Sequence, residues 1–210
     1  MGAPLDEGVE SVLTRSRELG FLGPGDIGPQ ASHASAFADA VAEAALGPLG
    51  LVVDLGSGGG LPGLVLAGRW PTTQLLLVDG SVRRCAFLAE AVEELGVADH
   101  VTVRCERAED LGHDPELRGS ADLVVARSFG APPVLAECAA GLLAPGGHLL
   151  VSEPPGGLED RWPASGLAEL GMGPARLLVT GARFALIEQC SPCPERFPRR
   201  VGVPAKRPLF

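Results

Sequence analysis

The sequence predicts an α/β protein: a mostly parallel seven-stranded sheet ending in an antiparallel hairpin and preceded by a helical cap. Three observations point there. Short apolar runs alternate with segments of helical period through the middle of the chain, the pattern of strand–helix–strand units. The first run, in LVVDLGSGGGLPG at residues 51–63, ends in Asp54 and passes into a glycine-rich turn. After residue 152 the alternation stops, and two apolar runs flank Gly181 and Ala182.

Two helices are expected in front of the sheet, over residues 5–19 ending at Gly20 and over residues 33–46 ending at Gly47. The glycine- and proline-rich stretch 21–30 reads as the loop between them. Strands are expected at 51–54, 74–78, 101–105, 122–126 and 148–152, short and apolar enough to be buried on both faces. Residues 61–70 have helix-compatible spacing and stop before Pro71. Residues 81–95 place Val82, Cys85, Leu88, Val92 and Leu95 on one face and end at Gly96. Pro132 and Pro133 open a helix running to Leu143, before the Pro145-Gly146-Gly147 turn. Residues 176–180 and 183–188 form the hairpin. The stretch 191–210 is punctuated by Pro194, Pro198, Pro204 and Pro208 and is expected to be extended rather than helical. The chain thus divides into a cap at 1–48, a sheet domain at 49–190 and a basic tail at 191–210 packed on that domain.

The glycine turn is the chemical centre of the sequence. A strand feeding a glycine-rich turn and then a helix directs free backbone N–H groups at a ligand, and the missing Cβ atoms let the backbone approach it closely. Two ligands fit. Asp54-x-Gly56-x-Gly58-x-Gly60 is the spacing used by Rossmann-like methyltransferases for S-adenosylmethionine, whereas Gly58-x-Gly60-x-x-Gly63 satisfies the dinucleotide fingerprint. Asp54 favours the first, because a carboxylate can meet the ammonium of a methionine moiety but would repel a pyrophosphate. Asp79, ending the second apolar run, can accept bonds from both ribose hydroxyls of either ligand, or cap the helix that follows. An NAD oxidoreductase is the outside reading, disfavoured by Asp54 and the terminal hairpin.

Composition bounds the remaining possibilities. With 46% hydrophobic and 20% charged residues, the chain suits one core of ordinary size. No apolar run reaches membrane-spanning length and the first twenty residues are acidic, so a cytoplasmic protein with no membrane partner is expected, a monomer by default. Cys85, Cys105 and Cys138 read as small core residues. Cys190-Ser-Pro-Cys193 has no second pair or nearby histidine, so no metal is expected. The formal charge of −9 argues against a general nucleic-acid binder. Charge is distributed unevenly, with seven acids against Arg15 and Arg17 in the first fifty residues, while Arg196, Arg199, Arg200, Lys206 and Arg207 oppose only Glu195 in the tail. Such a tail could hold a phosphate backbone locally.

Five segments in this order, DLGSGGGLPG, LLVDGSVRRCAFL, RAEDL at 107–111, ARSF at 126–129 and PRRVGVPAKRPL near the end, resemble the bacterial small-subunit rRNA guanine-N7 methyltransferase family, also called glucose-inhibited division protein B. The resemblance implies a class I S-adenosylmethionine-dependent methyltransferase with 16S rRNA or the 30S subunit as partner. It implies cofactor contact by Gly56 and Leu61 in the turn, by Ala108 and Glu109 at the adenine and by Asp79 at the ribose. Arg127 then stands at the mouth of the site as the catalytic orienter of substrate or cofactor. Arg199, Arg200 and Lys206 would meet RNA. His33 matches a family histidine, as either a substrate contact or a packing residue.

Two departures bear on the acceptor. The family's Asn-Leu-Thr stretch is replaced within residues 21–30, and where the family carries lysine in an Ala-Leu-Lys-Gly stretch this chain has Val151-Ser152-Glu153-Pro154. Glu153 is expected at the substrate side of the pocket, where a carboxylate would repel phosphate, so Glu153→Lys is expected to raise methyl transfer to rRNA. A paralogue with a non-RNA or small-molecule acceptor, and a cofactor-binding protein without catalysis, are the alternatives.

Overall fold

The computed structural model describes residues 6–210. Leu5, where the first helix was expected to begin, lies outside the described residues. Seven strands form one sheet in the order β3-β2-β1-β4-β5-β7-β6. They are β1 Leu51–Leu55, β2 Gln74–Asp79, β3 Val101–Cys105, β4 Ala121–Ala126, β5 Leu143–Ser152, β6 Arg176–Val179 and β7 Arg183–Glu188. The first five run parallel, while β7 lies antiparallel to both β5 and β6. All seven were legible as elements, and the hairpin register Val179↔Arg183 closes at Gly181 as expected.

Because successive side chains of a strand point to opposite faces, each central strand feeds two cores. Val53, Leu55, Leu76, Val78, Val124, Ala126, Leu149 and Val151 pack on one side against α6 (Pro132–Leu142). Val52, Leu75, Leu77, Leu123, Val125 and Leu150 pack on the other side against α2 (Ile27–Glu43), α3 (Gly63–Arg69) and α4 (Val82–Glu94). A third cluster, with Val9, Leu13, Ile27, Ala31, Leu61 and Val65, ties α1 (Glu7–Glu18) to α2 and α3. No helix among the described residues is long and apolar enough to cross a membrane.

Four expectations need correction. Helix α2 begins at Ile27, six residues before the expected start, and takes Gly28 and Pro29 into its first turn. First-turn N–H groups have no intrahelical acceptor, so proline costs nothing there. Val82 is 76% exposed, because it stands at the first position of α4, ahead of the buried stripe formed by Cys85, Leu88 and Val92. Cys105 is exposed, since β3 is an edge strand, while Cys85 and Cys138 are buried. The tail is not wholly extended: beyond the short α7 (Ala164–Ala168), Val203–Lys206 forms one helical turn, α8, with Pro204 at its start, where proline's fixed φ is already helical.

Candidate functional site

The site lies outside the carboxyl ends of the parallel strands, where β1 and β4 lead their connections to opposite sides, the place where open α/β sheets bind ligands. Three residues of the glycine turn are held at positive φ, Gly56 at 73°, Gly58 at 54° and Gly60 at 100°. A Cβ on Gly56 would meet Phe129 Cδ2 at 2.7 Å, so the aromatic ring can lie against the turn only because that position is glycine. Gly56 and Ser57 N–H groups bond Val78 O at 2.8 and 2.9 Å, fixing the turn to the end of β2.

Asp79 caps both sides of this junction. Its Oδ2 accepts Gly58 N–H at 3.0 Å, its Oδ1 accepts Ser81 N–H at 2.8 Å, and Arg84 Nη1 stands 3.6 Å away. Asp79 thus bonds the N–H of Ser81, the residue just before α4, and it also lines a cavity of about 410 Å³ together with Gly56, Arg107, Ala108, Glu109 and Phe129. Ala108 and Glu109 open the one-turn helix α5 (Ala108–Leu111), which was not anticipated. The Glu109 carboxylate, 4% exposed, faces Arg107 Nε at 3.6 Å and accepts Gly202 N–H at 3.0 Å. Ala205 of α8 reaches the same cavity wall, so the tail closes it.

Asp54 lies beneath the turn. It lines none of the three main cavities. Its side chain is fully buried, with Oδ2 accepting Gly63 N–H at 3.0 Å at the start of α3 and Oδ1 without a partner among the described residues. Burial pushes its pKa up to about 7. The turn that follows Asp54 curls over it, and the carboxylate bonds the backbone where that turn enters α3.

Arg127 directly follows β4 and lines a second, smaller cavity of about 220 Å³ with Gly58, Leu61 and Gln30. Its Nη2 donates to Gln30 Oε1 at 3.1 Å, and its buried Nη1 has no partner among the described residues. Burial pulls the guanidinium below its ordinary range, but arginine stays charged. A half-buried cation with one free donor and a neutral neighbour is set to receive an anionic or carbonyl oxygen. Ser128, at φ 61° without being glycine, reverses the chain so that Arg127 faces this cavity and Phe129 the larger one. His33 packs on Phe37 and Phe184 with Nε2 3.0 Å from Ser152 Oγ; burial, then Arg127, lowers its pKa, so the ring is neutral near pH 7. Its Nδ1 is buried without a partner among the described residues.

The remaining expected contacts divide. Gly60 is buried in the turn, at φ 100° against the Leu64 side chain, and Leu61 lines the Arg127 cavity. Arg200 and Lys206 are exposed. Arg199 is committed elsewhere: its backbone N–H, Nε and Nη2 all bond the fully buried Glu137 carboxylate at 2.6–3.2 Å. It is a structural pin of the tail on α6, not a free phosphate contact. Glu153 is likewise not a free negative charge, because Arg161 Nε bonds it at 2.7 Å and Trp162 Nε1 at 2.9 Å. The expected repulsion of phosphate, and with it the expected gain from Glu153→Lys, loses its basis.

Sequence reasoning missed Gln30, Phe129 as a wall, Arg161 and Glu137. For Glu137 the signal was available: one carboxylate inside the otherwise apolar helix PPVLAECAAGL has to find a cation.

The fold is that of the class I methyltransferases. A solved structure with this arrangement, the O-methyltransferase from Bacillus cereus in complex with S-adenosylhomocysteine, superposes with a TM-score of 0.64 over 88% of this chain and 91% of that one, at 16% identity. Within that class the chain belongs to the rRNA small subunit methyltransferase G (GidB) family, whose profile matches residues 36–153. Two relatives bearing the name ribosomal RNA small subunit methyltransferase G are those of Prochlorococcus marinus (strain MIT 9313), 43% identical over 172 residues, and Parasynechococcus marenigrum (strain WH8102), 36% identical over 176. The matches cover 75% and 76% of this chain, and 67% of each relative.

Proposed function

We propose that this protein transfers a methyl group from S-adenosylmethionine to N7 of a guanine in 16S rRNA, in the 30S subunit or its precursor. The observation that carries the reading is the cradle: a glycine turn, the Asp79 carboxylate and an Arg127 guanidinium whose buried Nη1 has no partner among the described residues, gathered around adjoining cavities at the strand ends. Family membership supports the acceptor.

The donor fits the residues present. The cavity by Asp79 has a carboxylate for ribose hydroxyls and the apolar Ala108 beside it for an adenine ring, while the Gly56–Gly58 backbone leaves room for close approach. Bound S-adenosylmethionine supplies an already activated methyl group. Guanine N7 carries a free lone pair at neutral pH, so no side chain has to remove a proton. What falls to the protein is positioning and exclusion of water. In this reading Asp79 holds the ribose, Ala108 and Glu109 border the adenine, Gly56, Gly58, Gly60 and Leu61 shape the turn, and Arg127 Nη1 orients a carboxylate or the acceptor edge of the base. Arg200 and Lys206 contact RNA phosphates. The three-part division into cap, sheet domain and tail is proposed to persist on cofactor binding, with Ser16 Oγ on Gly59 O at 2.8 Å and Gly202 on Glu109 clamping the cradle from both ends of the chain.

The test is methyl transfer from radiolabelled S-adenosylmethionine to naked 16S rRNA, 30S subunits and a small-molecule extract in parallel, with the labelled nucleoside identified by digestion. Label in 7-methylguanosine of rRNA is expected. Label confined to the extract would replace the acceptor, and tighter binding of NAD than of S-adenosylmethionine would overturn the reading altogether.

A further inference from the structure

We propose that the cavity at the ends of β4 and β5 receives the acceptor nucleotide, and that Arg161, locked in place by the buried Glu153, binds its phosphate; this rests on the methyltransferase reading above. The cavity measures about 360 Å³ and adjoins the Asp79 cavity through Ser128, Phe129 and Gly130. None of the glycine-turn residues, Asp79, Ala108 or Glu109 belongs to it. It is thus a neighbour of the donor cradle, within the ~300–1,000 Å³ of small-ligand pockets.

Its walls have two characters. Phe129, Leu135, Val151 and Trp162 make an apolar side suited to a planar base. The other side carries a carboxylate whose side chain is 1% exposed, a costly thing to bury without partners. Glu153 is fully provided for: Oε2 accepts Arg161 Nε at 2.7 Å and Oε1 accepts Trp162 Nε1 at 2.9 Å. Arg161 is not. Its Nη2 reaches Oε1 only at 3.5 Å, its Nη1 makes no hydrogen bond among the described residues, and its side chain remains 41% exposed at the rim. A guanidinium anchored by Nε to an interior carboxylate presents its outer edge with its rotamer already chosen, which lowers the ordering cost of gripping an oxyanion. An apolar slot with such a cation at its rim matches a nucleotide, base inward and phosphate at the edge. Glu153 then acts through Arg161 as a positioning residue, and a lysine in its place would set two cations against each other.

The experiment uses the full chain, 30S subunits or naked 16S rRNA, and labelled S-adenosylmethionine over a range of salt. Arg161→Gln is expected to raise KM for RNA about tenfold and to lower the salt slope by roughly one phosphate contact, with kcat and S-adenosylmethionine affinity unchanged. Glu153→Gln is expected to raise KM less, and the double variant no more than Arg161→Gln alone, because both act through one guanidinium. Arg161→Lys preserves the charge and is expected to recover part of the RNA affinity, and Arg161→Ala serves as the second neutral variant should Arg161→Gln unfold. Unchanged KM and salt slope in folded Arg161→Gln or Arg161→Ala overturns the assignment while leaving the enzyme's function standing. A wild-type protein that binds S-adenosylmethionine but methylates neither RNA substrate overturns the function, and this assignment with it.

Discussion

Asp54→Asn should stabilise this protein, and do so more strongly in alkali than in acid. The amide oxygen can still accept Gly63 N–H, now made by Oδ2 at 3.0 Å, so the cap on α3 survives the change. What disappears is the need to ionise a fully buried carboxylate whose folded pKa is raised from 3.8 to about 7. A raised folded pKa means that the native state holds its proton more tightly than the unfolded chain, so stability is full below about pH 4 and is lost as pH rises through 7. At 1.36 kcal/mol per unit, the loss reaches about 4 kcal/mol at pH 8 and about 1.5 kcal/mol at pH 5. Asparagine removes both, so its advantage over aspartate should grow by about 2.5 kcal/mol between the two pH values, or roughly 1 M in urea midpoint at a slope of ~2 kcal/mol/M. Urea unfolding of both proteins at pH 5 and 8 measures this. An advantage that does not change with pH refutes the reasoning about burial. A loss of S-adenosylmethionine affinity beyond about tenfold (about 1.4 kcal/mol) would mean that the carboxylate does meet the ligand, as the sequence pattern suggested.

Three further outcomes are expected. Glu137→Gln leaves Arg199 with 26% of its side chain in water but without its counter-charge; urea unfolding should show a loss of about 3 kcal/mol, the low end for a broken buried pair, and hydrogen exchange should speed up first in residues 197–206. Gly58→Val should abolish S-adenosylmethionine binding in calorimetry while costing only about 1–2 kcal/mol of stability, the strain of a branched residue at positive φ, since no protein atom lies nearer to the added Cβ than Gly56 O at 3.6 Å. Neutralising Arg200, Lys206 and Arg207 together should flatten the salt dependence of RNA binding by ~0.7–0.9 per lost contact; an unchanged slope in a filter-binding titration would leave the tail as a closing element only.

The sheet was readable because its signals are local. Apolar runs, glycine stops and the proline-opened α6 each declare themselves within a dozen residues, and Asp79 and the glycine turn follow from where those runs end. The site was readable only as far as it is built from such ends. Arg199 and Glu137 are 62 residues apart, and Gly202 and Glu109 are 93 apart, so no local pattern records that these pairs are made. Asp54 misled for a related reason: the motif fixes where the carboxylate leaves the backbone, but its direction is set by the turn folding over it. Glu153 misled because its neutralising partner, Arg161, lies in a segment with no periodic signal to place it.

The bond from Gly202 to Glu109 also has a consequence in time. During synthesis the glycine turn, Asp79 and α5 leave the ribosome long before the residues that close the wall around them, because Gly202 follows Glu109 by 93 positions. At ~5–20 residues per second, that interval is roughly 5–20 s. Late in it, once β4, α6 and β5 have been made, Glu109 and Glu137 have sheet and helix around them but neither tail partner, so the nascent sheet can form while its donor cavity stays open on the side that α8 will cover.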